Sequence, residues 1–162
     1  MTQEGNDLVI VREFDAPRDL VCDVWTQPEH IEKWGGPRGF NTRVTSVDLR
    51  VGGLWLYVMV GPDGNEYPVK GVFSEIDPPK RIVTTDEFDE DYVTSHPEMD
   101  LPKGLVATAE FDDLGDRTRL TLTISHPSAE ERRKHEQMGV VEGWGSSFDC
   151  MDDYLAEMQK GR

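Results

Sequence analysis

Three side chains in this sequence have the type and the position to handle a proton or an ion: Arg12, Tyr57 and Asp86. Arg12 follows the alternation Ile10, Arg12, Phe14, so it shares a strand face with apolar neighbours. It either anchors a ligand carboxylate there or closes a salt bridge at the sheet edge. Asp86 alternates with Ile82, Thr84 and Phe88, and presents its carboxyl either to an interior space or to the acidic segment that follows. Tyr57, between Trp55 and Met59, offers a phenol that can hydrogen-bond or pass a proton. Stronger signatures of catalysis do not occur. GWGSS at 143–147 lies in a helical pattern, not at a strand-to-helix elbow. Ser125 and His126 are adjacent on a strand and so face opposite ways. Cys22 and Cys150 lack an obvious activating base and make no CxxC pair, which reads as two free thiols. His30, His96, His126 and His135 show no HxxH or HExxH spacing, so neither a metal site nor a cofactor is expected.

Non-covalent binding of a flat or lipophilic molecule is better provided for. Trp25, Trp34, Phe40, Trp55, Tyr57, Met59, Phe73, Trp144 and Phe148 are the expected wall, with Asp86 as its carboxylate. The Tyr57 hydroxyl and the indole N–H groups supply polar contacts. Each aromatic is equally a good core residue. The small residues Gly71, Ala107 and Ala109 lie opposite these, and Gly139 and Gly143 fall at the start of the last helix. That combination leaves either room for a ligand or a close approach of helix to sheet.

The elements that must position these groups follow from periodicity. Strands are predicted at 8–14, 42–49, 54–61, 67–76, 81–88, 105–114 and 118–126, mostly joined by short turns, which favours an antiparallel meander. Between the first and second strands lie two short helices, one following Pro17 and one opened by Pro28. Leu120, Leu122 and Ile124 face one way and Arg119, Thr121 and Thr123 the other, so one face of the sheet needs a cover. Val141, Trp144, Phe148, Met151, Leu155 and Met158 form a single apolar helical stripe that supplies it. Ser128, with Glu131 three residues on, predicts that this helix begins there and kinks near Gly139. The fold class is therefore α+β. Residues 89–103, DEDYVTSHPEMDLPK, form a long acidic loop that is either a lid or a mobile surface segment.

Bulk properties set the boundaries. The 162 residues suit a single domain spanning 1–162, with frayed ends at 1–6 and 161–162. A net charge of −15 argues against nucleic acid and anionic membrane surfaces as partners. No apolar run approaches the roughly 20 residues of a membrane span, and the first residues have no signal-peptide character, so a cytoplasmic protein is expected.

Six motifs in order carry a family resemblance: REFDAP at 12–17, WTQPEHIEKWGGP at 25–37, DLRVGGLWLYVMVGPDG at 48–64, GVFSEIDPPKRIV at 71–83, TRLTLT at 118–123 and GWGSSFDCM at 143–151. Together they resemble the START-related SRPBCC superfamily, and within it the bacterial homologues of the activator of the heat-shock-protein ATPase. The resemblance implies a helix-grip fold: a curved antiparallel sheet of about six to seven strands around a long C-terminal helix, with two short helices after the first strand. It also implies a cavity between sheet and helix. Three functions follow from it. The first is a small-molecule binder for a hydrophobic ligand; the second is an enzyme using Tyr57, Asp86 and Arg12 on such a substrate. The third is a chaperone-associated module that meets a protein partner through the acidic segment 86–100.

Overall fold

Alternating apolar and polar residues build one antiparallel sheet of eight strands: β1 (Thr2–Glu4), β2 (Asp7–Phe14), β3 (Asn41–Val47), β4 (Leu54–Val60), β5 (Glu66–Asp77), β6 (Arg81–Phe88), β7 (Leu105–Asp113) and β8 (Thr118–Ser125). Among the described residues four helices of seven residues or more accompany it: α1 (Arg18–Thr26), α2 (Pro28–Trp34), α3 (Ala129–Gln137) and α4 (Val140–Gln159). The structure, a computed structural model, describes residues 2–4, 6–34, 39–88, 94–95 and 104–160. Sheet order is β1-β2-β8-β7-β6-β5-β4-β3, so the chain meanders from β3 to β8 and the N-terminal strand then closes against the last one. No helix among the described residues is long and apolar enough to cross a membrane.

The expected strands agree with the observed ones to within a residue or two at each end. The eighth strand is the addition. Thr2–Glu4 pairs with Val9, Leu8 and Asp7, so backbone hydrogen bonding gives an edge strand where fraying of 1–6 was expected. Register shifts between Val44 and Ser46 and between Phe73 and Glu75 place bulges in the β3–β6 half, which bend the sheet. Pro68 is tolerated within β5 because β6 pairing begins only at Val69, beyond the missing N–H.

The core sits between the β2–β8–β7 half and α4. Leu8, Phe14, Phe111, Leu120, Leu122 and Ile124 are fully buried there against Phe148, Met151 and Leu155 of α4. At about 1.5–3 kcal/mol for each large side chain withdrawn from water, this contact dominates the stability of the fold. Val21 and Val24 add α1 to the same core, and the Trp34 indole N–H donates to the Val24 carbonyl at 2.8 Å, tying α2 to α1.

The C-terminal helix is two helices, not one kinked helix. Ser128 caps α3 as expected, its hydroxyl accepting from the Glu131 N–H at 3.2 Å. Gly139 then adopts φ +81°, a left-handed conformation that breaks the helical hydrogen-bond ladder outright. α3 buries no residue, whereas α4 buries a full stripe, so the break separates a polar helix from an apolar one.

Candidate functional site

The other half of the sheet is not filled by α4. Between β4–β7, the two short helices, α3 and the N-terminal turns of α4 lies a cavity of about 500 Å³. Its floor comes from alternate strand residues: Trp55, Tyr57 and Met59 of β4, Val69 and Phe73 of β5, Ile82, Thr84 and Asp86 of β6, Leu105 and Ala107 of β7. Its roof comes from Trp25, Ile31 and Trp34 on one side and Val140, Gly143, Trp144 and Ser147 on the other. Trp25 is sandwiched between Trp34 and Trp144, with ring centroids 5.5 and 5.7 Å apart and planes inclined by 26° and 20°. Phe40, Thr42 and Tyr67 close one end, and His135 with Met138 the other edge.

Glycine at 71 decides where Trp55 lies. A Cβ there would come 2.4 Å from the Trp55 Nε1 and 1.8 Å from the Thr85 carbonyl oxygen. Only glycine lets the indole fold down over β5, so Gly71 serves close packing rather than open volume. Ala109 is likewise sealed in the core, and Ala107 alone of the three small strand residues lines the cavity.

Polar groups on this wall are few and enclosed. The Trp55 indole N–H and the Thr42 hydroxyl belong to residues only 7% exposed, and neither finds a hydrogen-bond partner among the described residues. An unmet buried donor costs about 1–3 kcal/mol. Asp86 accepts a hydrogen bond from the Thr84 hydroxyl at 3.0 Å. Burial nevertheless pushes its pKa up to about 7, the Thr84 bond pulling only partly the other way. Burial, and then the Asp86 charge, also push the Tyr57 phenol up, keeping it a neutral donor.

His135 brings an arrangement that the sequence spacing did not announce. Its Nδ1 lies 3.1 Å from the His126 Nε2, while the His126 Nδ1 lies 2.6 Å from the Asn6 carbonyl oxygen. The carbonyl can only accept, so His126 donates from Nδ1 and leaves Nε2 to accept from the His135 Nδ1–H. Burial, and then the neighbouring His126, push His135 down to about 4, so it is neutral at pH 7. Among the described residues no three His, Cys, Asp or Glu side chains are grouped to hold a metal ion.

The expected wall residues Trp25, Trp34, Phe40, Trp55, Tyr57, Met59, Phe73, Asp86 and Trp144 all line this one cavity. Phe148 does not. It lies behind the wall, fully buried and edge-on to Phe14 at 5.6 Å, because its place on the α4 stripe points to the β2–β8 core. Arg12 is also absent from the cavity. Its guanidinium reaches Asp149 at 2.6 Å and Asp152 at 2.5 Å, clamping β2 to α4, so the protein's own carboxylates occupy it. Thr42, Tyr67, Val69, Ser147 and His135 were not foreseen. Val69 could have been found from its alternation with Gly71 and Phe73, whereas nothing in the polar α3 sequence marks His135. Cys22 and Cys150 are free, and burial raises the Cys22 thiol to about 11, far from a reactive thiolate. Most of the acidic loop, 89–93 and 96–103, lies outside the described residues.

Comparison with known proteins agrees with this fold. The family described as Activator of Hsp90 ATPase homolog 1-like protein matches residues 15–156. No curated protein matches the chain. Among solved structures, the chain is similar to a protein from Arthrobacter aurescens at 29% identity and TM-score 0.85, covering 94% of this chain and 87% of that one. It is similar to Ms6760 from Mycobacterium smegmatis at 29% identity and TM-score 0.82, covering 96% and 94%. NE0264 from Nitrosomonas europaea is 31% identical with TM-score 0.77, covering 94% and 96%.

Proposed function

The chain belongs to the Activator of Hsp90 ATPase homolog 1-like family, with its helix-grip fold, and we propose that it is a binding protein for a small, mainly apolar molecule held between sheet and helices. One observation carries this reading. An aromatic cavity of about 500 Å³, a volume typical of ligand pockets, holds two buried polar groups that the described protein leaves unpaired. A ligand stacked on Trp25, Trp55 and Trp144 with one or two hydrogen-bonding atoms would satisfy both the apolar walls and those groups. Two free cysteines support a reducing, cytoplasmic setting.

A catalytic use of the same cavity is the second reading, favoured by a carboxyl titrating near neutrality on the wall it shares with Tyr57. In that reading Asp86 is the base and Tyr57 the neutral donor, and Arg12 has no part. A chaperone-associated role rests on the family name alone, since the acidic segment it would use is largely undescribed.

Native mass spectrometry of gently purified protein tests the binding reading. The expected result is an added mass that disappears on denaturation. A bare native mass, together with no thermal shift from a panel of hydrophobic metabolites, would overturn it.

A further inference from the structure

We propose that the ligand is a lipophilic amine, its protonated nitrogen seated against Asp86 and its apolar body stacked among the indoles. This deepens the binding reading above and rests on it. The charge of the walls is one-sided: Asp86 and Glu87 line the cavity, and no lysine or arginine does among the described residues. His135, the remaining basic side chain on the wall, commits its Nδ1 to His126 at 3.1 Å. Among the described residues Asp86 therefore has one hydrogen bond, from Thr84, and no lysine or arginine on the cavity wall to pair with. A carboxylate withdrawn into a mainly apolar wall either keeps its proton or is stabilised in its charged form by a positive charge brought to it.

The rest of the wall suits a cation as well. Trp55 and Tyr57, with ring centroids 4.7 Å apart, lie on the floor that Asp86 shares, and aromatic faces attract ammonium groups. A net charge of −15 draws cations toward the protein and repels anionic ligands, which Asp86 would exclude from the cavity in any case.

Binding of such a ligand is linked to pH in one direction. The titratable groups sharing the cavity with Asp86 are Tyr57 on β4, Tyr67 on β5, Glu87 on its own strand and His135 on α3. Asp86 holds its proton up to about pH 7 when the cavity is free of charge, and an ammonium ion requires the carboxylate. Amine binding therefore releases a proton at mildly acidic pH and weakens as pH falls below 7. A neutral ligand that accepts a hydrogen bond from the protonated acid shows the opposite trend.

Three probes of one shape and different charge test this by isothermal titration calorimetry on the full chain: 1-naphthylmethylamine, 1-naphthalenemethanol and 1-naphthoate. An alkylammonium stays charged throughout pH 5.5 to 8. At pH 8 the amine should bind at least about tenfold more tightly than the alcohol, and the naphthoate more weakly than either. The amine's advantage should shrink at pH 5.5, and Asp86→Asn should bring the amine-to-alcohol ratio at pH 8 close to one. Equal binding of amine and alcohol by the wild-type chain, or an amine preference kept by Asp86→Asn, would overturn the amine and leave the binding cavity standing. Should the variant not fold, the wild-type pH trend decides, and amine affinity that rises toward pH 5.5 overturns the proposal. Failure of all three probes removes the binding reading together with this one.

Discussion

Replacing Asp86 with Asn should stabilise the protein, and by more at pH 8 than at pH 5. Asn keeps an oxygen to accept from the Thr84 hydroxyl, so the main change is loss of the ionisable proton. The unfolded chain ionises this carboxyl above its ordinary 3.8, and the folded chain only above about 7. Between those values the native state holds the extra proton, so stability falls as pH rises through the window. At about 1.4 kcal/mol per pKa unit, the full cost above pH 7 has a ceiling of about 4 kcal/mol. At pH 5 only the first unit or so has been traversed, and the cost is about 1.5–2 kcal/mol. Water reaching the cavity lowers both figures, so a gain of about 2–3 kcal/mol at pH 8 is expected, and about 1 at pH 5. Urea denaturation of both proteins at each pH measures this, and taking the difference at each pH cancels the other titrating groups. Equal differences at the two pH values, or a variant less stable at pH 8, would refute the argument that Asp86 is desolvated.

Other perturbations address the remaining parts of the site. His135→Gln should flatten the acid side of the stability profile. The His135 pKa is lowered from 6.5 to about 4, so the unfolded state binds the extra proton and stability is lost as pH falls from 6.5 toward 4, by about 2 kcal/mol at pH 5 in urea titrations. A wild-type profile without that loss, or one that His135→Gln leaves unchanged, would count against the desolvation of His135. Gly71→Ala should cost about 3 kcal/mol or more and move Trp55, visible as a change in near-ultraviolet circular dichroism. Phe148→Leu should cost about 1–2 kcal/mol in denaturation while leaving ligand affinity unaltered, since the ring lies behind the cavity wall; a parallel loss of affinity would place it in the wall after all.

Strand periodicity made the sheet legible, because a period-2 pattern with one apolar face admits a single register. β7 and β8 illustrate it, their buried residues following the alternation without exception. The same periodicity placed Trp55, Tyr57 and Asp86 on one face, and so most of the cavity floor. It could not tell wall from core on α4. Trp144 and Phe148 share one apolar stripe, and only the three-dimensional course of the sheet sends the first to the cavity and the second to Phe14. Arg12 was read correctly as sharing a face with Ile10 and Phe14, but its partners are more than a hundred residues away on α4. His126 directly follows β8 and His135 lies nine residues on in α3, and the capped turn at Ser128 that folds one back on the other leaves no periodic trace. Thr2–Glu4 escaped notice because three residues are too few to show alternation.

The chain contains four tryptophans, Trp25, Trp34, Trp55 and Trp144, and every one of them borders the same cavity. The intrinsic emission of the molecule therefore originates almost wholly from one place. The three stacked indoles are close enough for their excited states to mix, and the fourth rests on Gly71 with its N–H unpaired among the described residues. Whatever enters the space must displace, quench or polarise these chromophores. The protein thus carries a built-in optical gauge of its own occupancy, with no tryptophan elsewhere in the fold to dilute it.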